Sequence, residues 1–401
     1  LDQQGDAFMT EVFKGTGVRN LKLRGDVYYW RQTVGGVRFS ESLETRDREE
    51  ALERMRQRVA EAAERVELKK GEVTDMTAKK KNTSEEWVSF RPELKVLDCT
   101  VRDGGLVTNC DFEDDFVRAM YRGLAAAGID YMEIGYKADK KIFGATETGR
   151  WKFSTEEDLR HIVGDNPTEM KISVMADVGR TDYKNDILPK EQSVIDLIRV
   201  ACYIHQIPAA LEMGKDAHDK GYETSLNLMA VSTVPDYELD KGLELIGRSC
   251  VDIIYLVDSF GSLYYEQVDD LLRRYLAVAG DSKQVGMHAH NNQQMAYANT
   301  TYAAINGATM LDSTVDGLGR GAGNCPTELL IGFLKNPKFK LRPIVELVEQ
   351  QTLPLRRQYD WGYSLPYMIT GLLNEHPRAA IALRGSDRKD DYVAFYDEMI
   401  E

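Results

Sequence analysis

His288 and His290 stand two residues apart at the end of an apolar run, Gln284–Ala289. Side chains alternate along a β-strand, so histidines at this spacing project from one face. The chain has only six histidines in 401 residues, so composition alone does not produce the pair. Imidazole is the commonest protein metal ligand, and a carboxylate from another element would complete a three-ligand site. Asp103, in the run Thr100-Val101-Arg102-Asp103-Gly104, is the candidate carboxylate. One carboxylate and two imidazoles leave about three of six octahedral positions for substrate and water. Oxygen and nitrogen ligands without cysteine suit Mn²⁺ or Mg²⁺, with Zn²⁺, Co²⁺ or Fe²⁺ as alternatives. The competing reading makes each histidine a rim residue bonded to a backbone carbonyl. It suits a lone histidine better than a pair at strand spacing.

The elements that must deliver these ligands are legible as a repeating pattern. From residue 94 onward, strand and helix alternate eight times. The spacing predicts strands at Lys95–Thr100, Asp130–Gly135, Lys171–Ala176, Asp196–Cys202, Thr224–Ala230, Asp252–Val257, Gln284–Ala289 and Thr309–Thr314. Amphipathic segments of helical period lie between them, among them Phe112–Ala127, Tyr237–Arg248, Tyr264–Ala279 and Gln293–Asn306. Gly128, Gly221, Gly280 and Gly307 fall where left-handed C-caps are wanted. Short apolar strands each followed by a helix imply a parallel sheet, and eight units imply an α/β fold of the (β/α)8 TIM-barrel type. A doubly wound open sheet is the alternative.

In such a barrel, chemistry gathers at the C-terminal ends of the strands. Arg102 and Asp103 follow the first strand, Glu133 and Tyr136 end the second, and Asp177 follows the third. Asp258 and Ser259 end the sixth strand, and the two histidines end the seventh. Asp316-Gly317-Leu318-Gly319-Arg320-Gly321-Ala322-Gly323-Asn324 follows the eighth. The first and seventh strands are both odd-numbered, and alternate strands share interior layers, so Asp103, His288 and His290 can converge on one ion. A dinucleotide-binding reading of Gly317-x-Gly319-x-x-Ala322 fails on context, because the run ends the barrel instead of opening the first βαβ unit.

Leu97-Asp98-Cys99-Thr100-Val101-Arg102-Asp103-Gly104, His288-Ala289-His290-Asn291 and Gly317-Leu318-Gly319-Arg320-Gly321-Ala322-Gly323-Asn324-Cys325-Pro326-Thr327-Glu328 together resemble the DRE-TIM metallolyases. The likeness extends over residues 94–335 and is strongest to the 4-hydroxy-2-oxovalerate aldolase branch. It implies that Asp103, His288 and His290 hold a divalent cation chelated by a 2-oxo acid. It implies an aldolase that cleaves a 4-hydroxy-2-oxo acid through a pyruvate-type enolate, with Arg102 as a second electrophile. Glu133, Gly319 and Asn324 are expected to shape the substrate site.

The sequence departs from the aldolase pattern at Leu106, where the resemblance places a histidine general base. Tyr363 or Tyr367 in the C-terminal segment, His205 after the fourth strand, or metal-bound hydroxide are the candidates for the substrate proton. Two other enzyme readings share the ligand set. One is a synthase of the isopropylmalate synthase type condensing an acyl-CoA with a 2-oxo acid, although no feature marks a CoA pocket. The other is a non-haem iron oxygenase.

The remainder of the chain divides into an appendage at residues 1–68, a polar linker at 69–93, the barrel at 94–340 and a helical extension at 341–401. Residues 20–25 and 27–31 read as strands, and Gly35-Gly36 as a hairpin turn into Val37–Ser40. Thr45 is the expected cap of a helix running to about Val66. This module resembles the N-terminal arm of phage-type tyrosine integrases over residues 21–60; packing or oligomerisation is the alternative use. Residues 1–90 hold 17 basic and 17 acidic side chains, so the net charge of −14 falls on the remainder. Neutral and acidic halves argue against nonspecific DNA binding, by residues 1–68 or by the barrel. Five scattered cysteines without a C-x-x-C favour reduced thiols. With no apolar run of membrane-spanning length, the expectation is a cytoplasmic protein. A homo-oligomer is expected, and a dehydrogenase partner, common among the aldolases, is left open.

Overall fold

The computed structural model describes residues 14–15, 21–24, 27–34, 37–60, 91–144 and 148–401. The chain divides into two units, Leu1–Glu86 and Trp87–Glu401.

In the first unit, β1 (Lys14–Gly15), β2 (Leu21–Arg24), β3 (Val27–Val34) and β4 (Val37–Ser42) form an antiparallel sheet in chain order. Val34 pairs with Val37 across β3 and β4, as a hairpin requires. The expected turn glycines, Gly35 and Gly36, lie outside the described residues. A helix over 48–60 sets Ala51, Leu52, Met55 and Val59 against Leu21, Trp30 and Leu43. Residues 51, 55 and 59 recur every fourth position, which places them on one helical stripe. Its cap is Asp47, not Thr45: Asp47 Oδ1 accepts the backbone N–H groups of Glu49 and Glu50, each at 2.9 Å. The helix starts later than expected, and only the residue just before its first turn reaches those donors. The expected end of this helix and nearly all of the linker fall on residues 61–90, outside the described residues.

In the second unit, eight parallel strands close into a barrel in chain order. They are β5 (Lys95–Asp98), β6 (Tyr131–Tyr136), β7 (Lys171–Asp177), β8 (Leu197–Cys202), β9 (Glu223–Leu228), β10 (Ile253–Asp258), β11 (Gln284–Ala289) and β12 (Met310–Ser313). The barrel closes where β12 meets β5, from Met310↔Lys95 to Ser313↔Asp98. Strands β6, β8 and β10 are buried throughout, which explains why they read as continuous apolar runs. The surrounding helices each bury one stripe. Asp114–Ala127, for example, buries Phe116, Val117, Met120, Tyr121, Leu124 and Ala127, and stops at Gly128 with φ +78°.

Alternation along the strands sets the interior. Leu97, Cys99, Tyr131, Leu197, Ile253, Tyr255 and Met310 fill the barrel as one apolar cluster. Two residues further along each strand, the same parity delivers Glu133, Arg199 and Asp312, all buried. A polar layer therefore lies directly under the C-terminal mouth. The first strand is shorter than expected and gives way to a helical turn at Thr100–Gly104. Asp98 Oδ1 accepts the Thr100 N–H at 2.9 Å and bends the chain there.

Beyond the barrel, helices at Leu341–Leu347, Leu365–Leu372, Arg378–Arg384 and Tyr392–Ile400 make up the C-terminal region. Part of this region lies against the C-terminal mouth of the barrel. Asn292 and Gln293, just past the histidines, donate to the backbone carbonyls of Tyr367 and Met368 at 3.2 and 2.7 Å. Ala322, from the loop after β12, joins Tyr367, Ile369, Ala380, Leu383 and Phe395 in a small second core. Among the described residues, no helix is long and apolar enough to cross a membrane.

Candidate metal centre and active site

Asp103 reaches the mouth from the helical turn after β5, His288 from β11, and His290 from just beyond it. One ligand atom from each lies within 4.8 Å of the others. His288 Nδ1 is 2.8 Å from Asp312 Oδ2, and His290 Nδ1 is 3.0 Å from the Asp258 carbonyl oxygen. Both partners accept hydrogen bonds, so each Nδ1 carries a proton. Burial lowers the pKa of His288, but Asp103 and Asp312 outweigh burial and raise it, so a cation would have to displace the proton from its Nε2. The His288 and His290 Nε2 atoms stand 3.2 and 3.5 Å from Asp103 Oδ2. A carboxylate and two imidazole nitrogens at this range share a positive charge, which a proton on His288 or a bound cation supplies. His290 Nε2 is buried and lacks a hydrogen-bond partner, as expected for a group awaiting a cation, and Asp103 Oδ1 is buried with only the Arg102 ion pair at 3.3 Å. Burial favours a neutral Asp103, but Arg102 and the histidines overrule it and hold its carboxyl well below the usual range. Burial likewise holds His290 down, in the neutral form a metal ligand requires. The residues fit a divalent cation.

A second grouping, Cys99 with His288 and Asp312, does not. Burial pushes the Cys99 thiol well above its ordinary value, and it donates to the Ser313 carbonyl at 3.3 Å.

Beneath the centre runs a chain of alternating charge. Arg102 Nε donates to Glu133 Oε2 at 2.6 Å, and Arg199 Nη1 reaches the same oxygen at 2.8 Å. Arg199 Nη2 donates to Asp312 Oδ2, which holds His288. Arg102 Nη1 returns to Asp103 Oδ1 at 3.3 Å and closes the circuit. Arg199, wholly buried, also stacks over the Tyr255 ring at 4.3 Å. Asn324 Nδ2 donates to Asp103 Oδ2 at 2.6 Å and fixes that carboxylate from the loop after β12. Gly319 is required beside it, because a Cβ there would collide with Asn324 Oδ1. Gly323, at φ +80°, lets the loop close on the Asn291 N–H, which donates to its carbonyl at 2.9 Å.

A cavity of about 230 Å³ opens over the centre. Asp103, His288, His290 and Arg102 line it, with Tyr136, Lys152, Asp177, Arg320 and His376 around them. Several expected site residues lie elsewhere. Glu133 is fully buried under Arg102 and orients it, and Asn324 is buried behind Asp103; neither lines the cavity. Both stand where they position the groups that do line it, Arg102 and Asp103. Tyr363 is 62% exposed and away from the cavity, while Tyr367 is buried in the small C-terminal core. His205 is exposed, with its ring stacked on Tyr203. None of these three lines the cavity, whose wall carries Asp177 and His376 beside Tyr136 and Lys152. Sequence reasoning missed Arg199, although a lone arginine inside the apolar strand Leu197–Cys202 was a usable signal. His376, in the C-terminal extension, also lines the cavity, a placement that no sequence period announces.

Comparison with known proteins agrees with this geometry. Residues 195–351 match the HMGL-like family. The chain is 30% identical over 240 residues to 4-hydroxy-2-oxovalerate aldolase 1 of Nocardia farcinica, covering 60% of this chain and 69% of that protein. It is 33% identical over 246 residues to an oxaloacetate decarboxylase of Mycobacterium tuberculosis, covering 60% and 69%. Among solved structures, the N-terminal domain of a candidate aldolase from Bacteroides vulgatus superposes with a TM-score of 0.66 at 30% identity, covering 75% of this chain and all of that one. An HMG-CoA lyase from Bacillus subtilis shares the fold at a TM-score of 0.55 and 17% identity, covering 67% of this chain and 95% of that one. By these matches the chain belongs to the HMGL-like family of DRE-TIM metallolyases.

Proposed function

We propose that this chain is a divalent-metal-dependent carbon–carbon lyase that releases a pyruvate unit from a 4-hydroxy-2-oxo acid. The observation that carries the reading is the convergence of two Nε2 atoms and the Asp103 carboxylate beside Arg102 at the barrel mouth. Mn²⁺ or Mg²⁺ held by Asp103, His288 and His290 would supply a Lewis acid for the carboxylate and ketone oxygens of a 2-oxo acid. Arg102, anchored through Nε on Glu133, keeps Nη2 without a partner among the described residues and aims positive charge at the oxygen where enolate charge develops. Asp177 receives the proton of the 4-hydroxyl: burial raises its pKa toward the working range of a general base. The C3–C4 bond then breaks, its electron pair passes to C3, and an aldehyde leaves. The relatives named 4-hydroxy-2-oxovalerate aldolase and oxaloacetate decarboxylase support the choice, since both named reactions leave the same three-carbon 2-oxo fragment.

The test is coupled detection of pyruvate from a panel of 4-hydroxy-2-oxo acids with Mn²⁺, beside thiol release from acetyl-CoA plus 2-oxo acids. Pyruvate release that disappears on chelation and in Asp103→Ala is expected. Thiol release without pyruvate would replace the lyase reading with the synthase.

A further inference from the structure

The proposed reaction leaves four cations on the cavity wall without a role: Lys152, Arg180, Arg320 and Arg378. Among the described residues, none of the four has a carboxylate in ion-pair contact. Asp177 shares the wall but acts on Lys152 and Arg180 only at longer range. Lys152 is buried, with its ammonium 3.9 Å from the Tyr136 ring centre and 4.7 Å from that of Phe143. Arg320 is the most telling. Its Nη1 donates to His376 Nε2 at 2.8 Å and its Nη2 to the Ser259 carbonyl at 3.4 Å, and its Nε is buried with no partner. Both partners are neutral acceptors. Burial, Arg320 and Arg378 together push His376 down to about 4, so it offers no negative charge and little capacity to take a proton at neutral pH. Arg320 is half-buried and feels Asp103 only at longer range. A guanidinium so placed, with no carboxylate in contact, is costly, and a protein tolerates it where a ligand supplies the missing charge.

Arg320 sits four residues before Asn324, which braces Asp103, so this charge faces the same cavity as the metal centre from the loop after β12. A 2-oxo acid held at C1 and C2 by a cation on Asp103, His288 and His290 would direct its remaining carbons into that cavity. We infer that the substrate is a 2-oxo acid with a second carboxylate at its far end, received by Arg320 and Arg378. The inference rests on the proposed function and names its substrate class. For the five-carbon case, 4-hydroxy-2-oxoglutarate, the 4-hydroxyl proton goes to the base and the C3–C4 electron pair passes to C3. C3 is then protonated, giving pyruvate and glyoxylate with no oxidant or reductant.

Calorimetric binding to the Mn²⁺-loaded full chain tests it with two five-carbon ligands that lack the 4-hydroxyl and cannot be cleaved. 2-Oxoglutarate and 2-oxopentanoate differ at C5 only, carboxylate against methyl. The expected result is about tenfold or more tighter binding of 2-oxoglutarate, as charge-assisted hydrogen bonds give. Arg320→Gln should reduce that ratio to about two- or threefold, the residue of one lost charged contact. Arg378→Gln, at an exposed position that does not threaten folding, should reduce it as well. Equal affinities in the unmodified protein overturn the inference, and so does a ratio that both variants leave intact. Equal weakening of both ligands by Arg320→Gln also overturns it, because Arg320 would then hold the C1 carboxylate. Turnover separates the two readings. Pyruvate formed more efficiently from 4-hydroxy-2-oxopentanoate than from 4-hydroxy-2-oxoglutarate ends the inference and leaves the lyase standing. Pyruvate from neither ends the lyase reading, while the calorimetric ratio still decides the anion site.

Discussion

His288 Nδ1 lies 2.8 Å from Asp312 Oδ2, and that same oxygen accepts from Arg199 Nη2 on its other side. One buried carboxylate thus orients a metal-ligand imidazole and neutralises a guanidinium at the centre of the barrel. Through Arg199 it is tied to Glu133, and through Glu133 to Arg102. Barrel core and catalytic mouth are one electrostatic structure. A change in the polar layer should therefore be felt both as instability and as lost chemistry.

Asp312→Asn tests the first half of that statement. The amide keeps the volume but removes the charge that fixes the Nδ1–H tautomer and strengthens Nε2 as a ligand. Loss of such an outer partner typically lowers metal affinity or activity by about 10–100-fold. Titration of the metal-free protein with Mn²⁺ should show that weakening. Unchanged affinity would mean that Asp312 serves Arg199 alone.

Arg199→Met tests the second half. It leaves Glu133 and Asp312 as buried carboxylates facing a methionine, and breaking a buried pair in this way costs about 3–5 kcal/mol. Denaturant unfolding should register a loss of that order, together with a fall in kcat as Glu133, which anchors Arg102, loses its second cation. Arg199→Lys should rescue only part of it, because one ammonium cannot bridge two carboxylates and stack on Tyr255 as the guanidinium does.

Most of the barrel was legible because strand period and helix period are local signals. The eight apolar runs and their following amphipathic segments locate every strand of the closed sheet. The Asp103, His288 and His290 grouping was legible for the same reason: a period of two puts both imidazoles on one face, and position at a strand end puts them at the mouth. What the sequence hid depends on contacts across the barrel. Glu133 looks like a substrate ligand until Arg102 and Arg199 are seen bonded to it. Asn324 looks like part of a substrate loop until its amide is seen on Asp103. His376 could not be placed, because the C-terminal region reaches the mouth through tertiary contacts such as Asn292 to Tyr367, which no periodicity announces.

Two buried acids set an expected pH dependence of stability. Asp258 accepts the Ser262 and Leu263 N–H groups at 3.0 and 3.3 Å, yet burial pushes its pKa from 3.8 to about 7. Burial likewise pushes Asp98 to about 6, although Thr100 and Thr327 donate to it. Each folded value lies above the unfolded one, so the native state binds more protons within that window. Stability from these groups is fully present below pH 3.8 and is lost as pH rises through 6 to 7. Asp258→Asn, which keeps an acceptor but cannot ionise, should flatten the dependence of Tm on pH between about 4 and 7. An unaltered slope in that variant would assign the dependence to other groups.

The last prediction concerns the proton that Leu106 cannot take. Leu106 lines the cavity at the position where the resembling aldolases carry a histidine base. Asp177 and His376 are the carboxylate and imidazole on the wall outside the ligand set, and burial moves them in opposite senses. It raises Asp177 against the pull of Lys152, Arg180 and Arg102, with Glu133 adding to the rise. It lowers His376 to about 4, with Arg320 and Arg378 adding to the fall. A base is effective when its pKa approaches the working pH, so Asp177 should carry the transfer while His376 shapes the anion site. Asp177→Asn should lower kcat by about 10²–10⁴-fold. It should also remove the acid limb of the kcat/KM profile, the limb along which activity rises as Asp177 loses its proton. His376→Gln should raise KM for a dicarboxylic substrate and keep that limb. Pyruvate-release profiles from pH 4 to 9 separate the two, because an acid limb lost in His376→Gln and retained in Asp177→Asn would reverse the assignment.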